Sequence, residues 1–260
     1  MIHKARKRFG QNFLVDQHVI AEIIDIINPQ PEERMVEIGP GLGALTRPLL
    51  KTLDHLVVIE LDRDIVEKLE KEFTQDKLTV YSADALRFDF SILGDKLRII
   101  GNLPYNISTP LLFHLNQFSK LIIDMHFMLQ KEVVERLVAK PSTPAYGRLS
   151  VMLQYRFEME QVFSVLASSF RPVPKVESAI VRMLPIKQST LAVANEALFS
   201  QLVAAAFSQR RKTLRNTLSR YLTKDDFTRL TIDPGARAEN VTVEEYIHIT
   251  NDLAARMQSI

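Results

Sequence analysis

The chain has 260 residues, of which 46% are hydrophobic and 25% are charged, as in ordinary globular proteins. This length allows one large domain or a large and a small domain. The net charge is only +2, so a nucleic-acid surface would have to come from local clusters of charge. The chain has no cysteine, which excludes disulfides and thiolate metal sites, and the spacing of its six histidines predicts no metal. No apolar run approaches membrane-spanning length and no signal-like segment follows the basic amino terminus, which predicts a cytoplasmic protein without membrane contact.

Strand and helix patterns alternate in the first half of the chain. Asp16 and Asp62 are expected to cap helices, because apolar residues follow each of them at helical spacing. Short apolar runs between the helices predict strands at residues 34–38, 56–59, 78–81, 97–100 and 121–129. The alternation implies right-handed crossovers and therefore a doubly wound parallel sheet, an α/β fold.

The second half of the chain has a different pattern. Residues 151–157, 161–166 and 178–184 are predicted to be strands that finish the sheet in antiparallel fashion. Beyond Gln188 the pattern is helical, with segments at 199–207 and 214–222 and a last helix opened by a capping box from Thr242 to Glu245. We therefore expect a sheet domain at residues 1–187 and a small all-helical domain at 188–260.

Three predicted strands end in residues suited to binding a nucleoside. Gly39, Gly41 and Gly43 follow the first strand, and the first two match the dinucleotide-binding fingerprint, whereas the third comes one residue early. Glu60 ends the next strand about twenty residues on, where an acid binds ribose hydroxyls, and Asp84 follows the third strand, where it could accept from an adenine amino group. Each acid alone is typical of a solvated loop, but together they favour a nucleoside pocket, with Leu61 and Ala85 beside them.

The fourth strand leads into Asn102, Leu103, Pro104 and Tyr105. The Asn102 amide oxygen and the Leu103 carbonyl could each accept a hydrogen from an adenine amine, while Tyr105 stacks on the base and Pro104 stiffens the turn. The alternative is an ordinary strand-to-helix turn. A hydride-transfer enzyme needs a proton donor that the sequence does not offer here, so the pocket favours S-adenosylmethionine over NAD.

Basic residues are concentrated in two runs, each of which could contact phosphates or could be solvated charge. The first precedes any acidic residue, and the second has no acidic residue within it. The members are Lys4, Arg6, Lys7 and Arg8 in the first run, and Arg210, Arg211, Lys212, Arg215, Arg220 and Lys224 in the second.

The motifs together resemble a known family. The segments EIGPGLG, VIELD, ADAL, NLPY and SFRPVPKVES, with the early FGQNFL and the late FSQRRKTLRN, are similar to those of the KsgA/Dim family of small-subunit rRNA adenine N6-dimethyltransferases. The resemblance spans nearly the whole chain in the family's order, and it implies a Rossmann-like class I methyltransferase sheet. Glu177, where many relatives carry Asp, is a conservative difference.

The resemblance also implies roles for individual residues. Tyr105 and Phe170 would sandwich the target adenine, although an aromatic residue before a proline loop is more often part of a core. Asn102 would be shared between cofactor and substrate. The expected S-adenosylmethionine site comprises Gln11, Asn12, Leu14, Gly39, Gly41, Glu60, Leu61, Asp84, Ala85 and Asn102.

The implied reaction is dimethylation of two adjacent adenines in a hairpin near the 3′ end of small-subunit rRNA, within a pre-30S particle, by a monomeric protein with a role in subunit biogenesis. Four rival functions stay open: a large-subunit rRNA methylase of the resistance type, an assembly factor with dispensable catalysis, a DNA adenine methylase and, most remotely, an NAD oxidoreductase. DNA adenine methylases generally have proline where Leu103 stands, and only the basic helical tail argues for the small subunit over the large one.

Overall fold

The computed structural model describes residues 12–186 and 192–258, and their backbone forms two compact units. One unit contains the described residues up to Val134 together with Met159–Pro185, and the other contains Glu135–Glu158 together with the residues from Ile186 onward. The sequence predicted a single boundary after residue 187, close to the third and last point, between Pro185 and Ile186, at which the chain passes from one unit to the other. It did not predict that residues 135–158 would belong to the helical unit.

The first unit is built on strands, most of which match the predicted apolar runs, whereas two strands of two residues each were not predicted. The strands are β1 (Phe13–Leu14), β2 (Met35–Ile38), β3 (Leu56–Glu60), β4 (Leu78–Ser82), β5 (Leu97–Asn102), β6 (Ile122–Gln130), β7 (Phe157–Val165), β8 (Phe170–Arg171) and β9 (Ser178–Pro185). Seven of them form one sheet in the order β4-β3-β2-β5-β6-β9-β7, while β1 and β8 pair separately and antiparallel. The first five strands in that order are parallel and β9 runs antiparallel to β6, which confirms the predicted doubly wound α/β sheet.

Helices precede, separate or follow most of the parallel strands along the chain. They are α1 (Gln17–Ile27), α2 (Thr46–Leu49), α3 (Arg63–Glu72), α4 (Ser108–Asn116) and α5 (Lys131–Leu137). Asp16 caps α1 by accepting from the backbone N–H of His18 at 3.1 Å, and Asp62 caps α3 by accepting from that of Asp64 at 3.2 Å. Both predicted caps are thus confirmed, and each fixes the residue at which its helix begins.

A buried ion cluster lies at the amino end of the sheet. The guanidinium of Arg98 on β5 donates to Asp124 at 2.8 Å, to Glu33 at 2.6 Å and to the carbonyl of Ile27 at 2.7 Å. Arg98 and Asp124 are both buried, so these bonds replace the water that the charges lose on folding.

The second unit is mostly helical. Its helices are α6 (Arg148–Gln154), α7 (Glu196–Ala206), α8 (Leu214–Thr217), α9 (Lys224–Arg229) and α10 (Val243–Gln258). Buried tyrosines tie its parts together, since the Tyr146 hydroxyl donates to the carbonyl of Val241 and the Tyr246 hydroxyl to that of Ala238, both at 2.9 Å. The predicted capping box before α10 is present, with Thr242 and Glu245 exchanging bonds of 2.7 and 3.1 Å.

The prediction of a strand at residues 151–157 was wrong. Most of this segment is α6, whose residues Ser150 to Leu153 are all buried, and β7 begins only at Phe157. A short segment buried on all sides shows neither helical nor strand periodicity in its sequence.

None of the helices in the described residues is long and apolar enough to cross a membrane.

Candidate functional site

A cavity of about 770 Å³ lies in the first unit, where β2, β3 and β5 end. Its position follows from the sheet, because the carboxyl ends of parallel strands meet at one edge. It brings together most of the predicted site: Asn12, Leu14, Gly39, Gly41, Glu60, Leu61, Asp84, Ala85, Asn102, Leu103, Pro104 and Tyr105. Gln11 lies outside the described residues, and so does the basic run from Lys4 to Arg8.

The glycine turn after β2 exposes backbone to the cavity. Gly39, Gly41 and Gly43 have φ angles of +68°, +54° and +80°, which side-chain-bearing residues adopt only with strain. A Cβ atom at Gly41 would also lie 3.1 Å from the ring of Phe13 on β1. Glycine is therefore required here both for the turn and for the approach of β1 across it.

Glu60 presents a nearly buried carboxylate at the end of β3. Its Oε1 atom accepts from the backbone N–H groups of Leu61 and Asp62, both at 2.8 Å. Burial raises the pKa of Glu60, while these backbone bonds act against that rise. The backbone thus fixes the orientation of a carboxyl group that is suited to accept hydroxyl hydrogens.

Glu37 is a site residue that the sequence reasoning did not single out, although it opens the glycine motif. Only 2% of it is exposed, it lines the cavity, and the Thr46 hydroxyl donates to its Oε2 atom at 2.6 Å. Burial raises the pKa of Glu37 to about 7, with the Thr46 bond lowering it and nearby Glu60 raising it. The cavity therefore holds two buried carboxyl groups, which favour a ligand that carries positive charge or donates hydrogen bonds.

Asn102 stands at the end of β5 with its amide oriented. Its Nδ2 atom donates to the backbone carbonyl of Asn12 at 3.0 Å, which leaves Oδ1 as the acceptor end. The preceding Gly101 permits this arrangement, since a Cβ there would lie 2.5 Å from the carbonyl oxygen of Ile38 on β2. The Asn102 side chain is thus held by Asn12 of the amino-terminal segment, at a point where β5 approaches β2 closely.

Tyr105 is half-buried and tethered at its hydroxyl. The Tyr105 hydroxyl lies 2.8 Å from the Ser178 hydroxyl at the start of β9, and burial raises the pKa of Tyr105. The ring borders the same cavity as Glu60 and Asp84. Asp84 is oriented by its own turn, because its Oδ1 atom accepts from the backbone N–H of Leu86 at 3.0 Å.

Phe170 does not line the cavity. Its side chain is fully buried in the apolar core with Leu14 and Met128. Its predicted stacking on an adenine would require the ring to leave that core, so the stacking role stays a prediction.

The second basic run lies on the surface of the helical unit. Arg210, Arg211, Lys212, Arg215, Arg220 and Lys224 are all exposed. No carboxylate pairs with any of these six side chains within residues 12–186 and 192–258. Their charges are therefore available to an anionic partner.

Comparisons with known proteins identify the family of this chain. The family model described as ribosomal RNA adenine dimethylase matches residues 2–255. A curated relative from Nitrosomonas europaea, called ribosomal RNA small subunit methyltransferase A, is 65% identical over 253 residues, which cover 97% of this chain and 98% of the relative. A relative of the same name from Nitrosospira multiformis is 61% identical over 251 residues, which cover 96% of this chain and 97% of the relative.

Solved structures show the same fold. A dimethyladenosine transferase from Plasmodium falciparum superposes with a TM-score of 0.81 at 24% identity, covering 94% of this chain and 98% of that one. The 23S rRNA methyltransferase ErmE superposes with a TM-score of 0.72 at 25% identity, covering 94% of this chain and 100% of that one.

Proposed function

Because the chain belongs to the ribosomal RNA adenine dimethylase family, we propose that it dimethylates the N6 amines of two adjacent adenines near the 3′ end of small-subunit rRNA. S-Adenosylmethionine is the proposed methyl donor. The observation that carries the proposal is that Glu60, whose carboxylate could bind ribose hydroxyls, lines the same cavity as Asn102 and Tyr105. The proposed donor site and the proposed site for an adenine amine thus belong to one cavity.

The cavity residues suit the donor. Glu60 would accept the ribose hydroxyls, Asp84 the adenine amino group, and the backbone of the glycine turn would pass close to the methionine part. Two buried carboxyl groups, Glu37 and Glu60, suit a ligand with positive charge. When bound, S-adenosylmethionine supplies a methyl group on a sulfonium sulfur, which is already activated towards nucleophiles.

The chain's own residues then orient the adenine. Asn102 Oδ1 and the Leu103 carbonyl would accept the two hydrogens of the N6 amine, which favours a pyramidal nitrogen with a free lone pair. Tyr105 would stack on the base, and Pro104 would keep the two acceptors in place. The methylated nitrogen is acidic enough to lose its proton to water, so none of these residues has to be a strong base.

The remaining parts of the proposal concern the partner. The exposed cations from Arg210 to Lys224, and the amino-terminal run from Lys4 to Arg8, would contact phosphates of the rRNA within a pre-30S particle in the cytoplasm, with the protein acting as a monomer. Each contact to single-stranded RNA should contribute a slope of about −0.7 to the logarithmic salt dependence of binding. Identities of 61% and 65% to small-subunit enzymes support this target over the large subunit.

The test is transfer of labelled methyl groups to unmodified small subunits, with the product nucleoside identified. We expect N6,N6-dimethyladenosine on small subunits and none on large subunits or on subunits already methylated, and Asn102→Ala should form it at least about a hundredfold more slowly. Label appearing on large subunits would instead favour the resistance-type activity, and binding without transfer would favour an assembly factor that needs no catalysis.

A further inference from the structure

A stiff surface loop, residues 171–176, begins at the last residue of β8, leads towards β9 and carries two exposed valines. The exposed fractions are 57% for Val173 and 44% for Val176. Pro172 and Pro174 restrict the backbone beside these valines. The loop thus offers an apolar surface that loses little conformational freedom when a ligand covers it.

Both ends of the 171–176 loop are attached to walls of the cavity. At one end, Phe13 and Leu14 of β1 line the cavity and pair with Arg171 and Phe170 of β8. At the other end, Ser178 follows the loop and its hydroxyl lies 2.8 Å from that of Tyr105. The loop therefore lies next to the part of the cavity proposed to hold the target adenine.

The loop also carries unpaired positive charge. Arg171 and Lys175 are exposed, and within the described residues no carboxylate forms an ion pair with either. The nearest acid in sequence, Glu177, is already bound to Lys131 at 2.9 Å. The Arg171 guanidinium donates to the carbonyls of Ser168 and Phe170 at 3.0 and 2.8 Å, which holds it close to the loop backbone.

Apolar side chains interleaved with cations match a nucleotide, which has an apolar base face and an anionic phosphate. The chain's own amino-terminal arm is the competing occupant, since it precedes β1. That arm carries Lys4, Arg6, Lys7 and Arg8 before any acidic residue, so its charge has the same sign as that of the loop. Charge complementarity therefore favours RNA over the arm.

We propose that the 171–176 loop binds the nucleotide adjacent to the target adenine, with its base on Val173 and Val176 and its phosphate beside Arg171 and Lys175. This proposal rests on the proposed function, because it assigns a binding place to the nucleotide next to the adenine that is methylated. The loop would thereby keep the second adenine in place while the first occupies the cavity.

The absence of cysteine from the chain allows a direct contact test. Val173→Cys introduces a sole thiol, and its alkylation by iodoacetamide is followed with and without unmodified small subunits. Ile92→Cys is the matched control, because Ile92 is 60% exposed in a short 3-10 helix, Phe90–Leu93, between β4 and β5. With subunits at ten times their Kd, about 90% of the protein is bound, so we expect alkylation at residue 173 to slow by up to about tenfold and that at residue 92 to stay unchanged.

Methylation kinetics provide the second readout. Val173→Ser combined with Val176→Ser should raise the KM for small subunits about three- to tenfold through lost apolar contact, with a smaller change in kcat. Binding of S-adenosylhomocysteine and the Tm should stay as in the parent protein, which separates this effect from a structural one. Ile123→Ser is the matched control, since Ile123 is 46% exposed at the opposite end of β6 from the cavity.

The outcomes are distinguishable. Parent protein that fails to methylate small subunits would overturn the proposed function itself. Parent protein that methylates them while residue 173 stays fully reactive, or while the double serine variant keeps its KM, would overturn only this inference. Faster alkylation at residue 173 after deletion of residues 1–11, in protein without RNA, would assign the loop to the arm and would also overturn it.

Discussion

Gly101 is the position at which a single methyl group should disturb both the sheet and the site. A Cβ atom there would lie 2.5 Å from the carbonyl oxygen of Ile38 and 3.0 Å from a methyl group of Leu103. Ordinary contact begins at 3.4 Å, so β5 would have to move away from β2 by most of an ångström. β5 lies between β2 and β6 and cannot shift freely, because it pairs with both neighbours.

The expected cost of Gly101→Ala is at the upper end of overpacking effects, about 3 kcal/mol in the free energy of unfolding. For a chain of this size that corresponds to a fall in Tm of roughly 6–12 °C. Asn102 is the next residue, so we also expect weaker binding of S-adenosylhomocysteine by isothermal titration calorimetry. Urea unfolding followed by circular dichroism measures the stability change.

Gly147→Ala is the matched control, because a Cβ at Gly147 has nothing within 4 Å and its φ of −163° suits any residue. We expect a loss of at most about 1 kcal/mol there, because Gly147 is the N-cap of α6 and alanine is less favourable than glycine at that position. If Gly101→Ala were as stable as the Gly147 variant and bound S-adenosylhomocysteine normally, the close approach of β5 to β2 would be refuted.

Four further changes test the site and the buried titratable groups. Asn102→Ala should lower the methylation rate by about a hundredfold or more, and a near-normal rate would remove Asn102 from the reacting centre. Glu60→Ala should weaken donor binding by roughly 1.5 to 3 kcal/mol, and unchanged calorimetry would contradict its role. The pKa of Glu37 is raised to about 7, so the parent protein should lose about 3 kcal/mol of unfolding free energy as the pH rises from 4.5 to 7. Glu37→Gln should abolish that loss, which urea titrations at several pH values would measure. Burial lowers the pKa of His126 to about 4, so the stability that the neutral imidazole contributes is present above pH 6.5 and is lost as the pH falls towards 4. His126→Leu should therefore reduce the loss of unfolding free energy over this range by about 3 kcal/mol. An unaltered acid transition would contradict this role of His126.

The sequence was sufficient to predict the parallel sheet and the position of the cavity. Continuous apolar runs identified the strands, and Asp16 and Asp62 identified where two helices begin. Once the strands are parallel, Glu60, Asp84 and Asn102 must meet at one edge, so their proximity needed no knowledge of long-range contacts.

Other features depended on contacts that the sequence does not encode locally. The strands β1 and β8 have two residues each and exist only through their pairing, so the burial of Phe170 was not predictable from its neighbours. The role of Gly101 had a weak signal, because glycine inside a strand often marks close backbone approach. The helix α9 was missed, although Thr223 and Asp226 form a capping box at its start.

The pairing of β1 with β8 has a consequence for the order in which the protein is made. Phe13 and Arg171 are 158 positions apart in the chain, so the first strand leaves the ribosome long before its partner exists. At roughly 5–20 residues per second, the delay is about 8 to 30 s. During that interval the wall formed by residues 12–14 has no partner strand, and a nascent chain that has not yet reached residue 171 should be unable to retain a methyl donor.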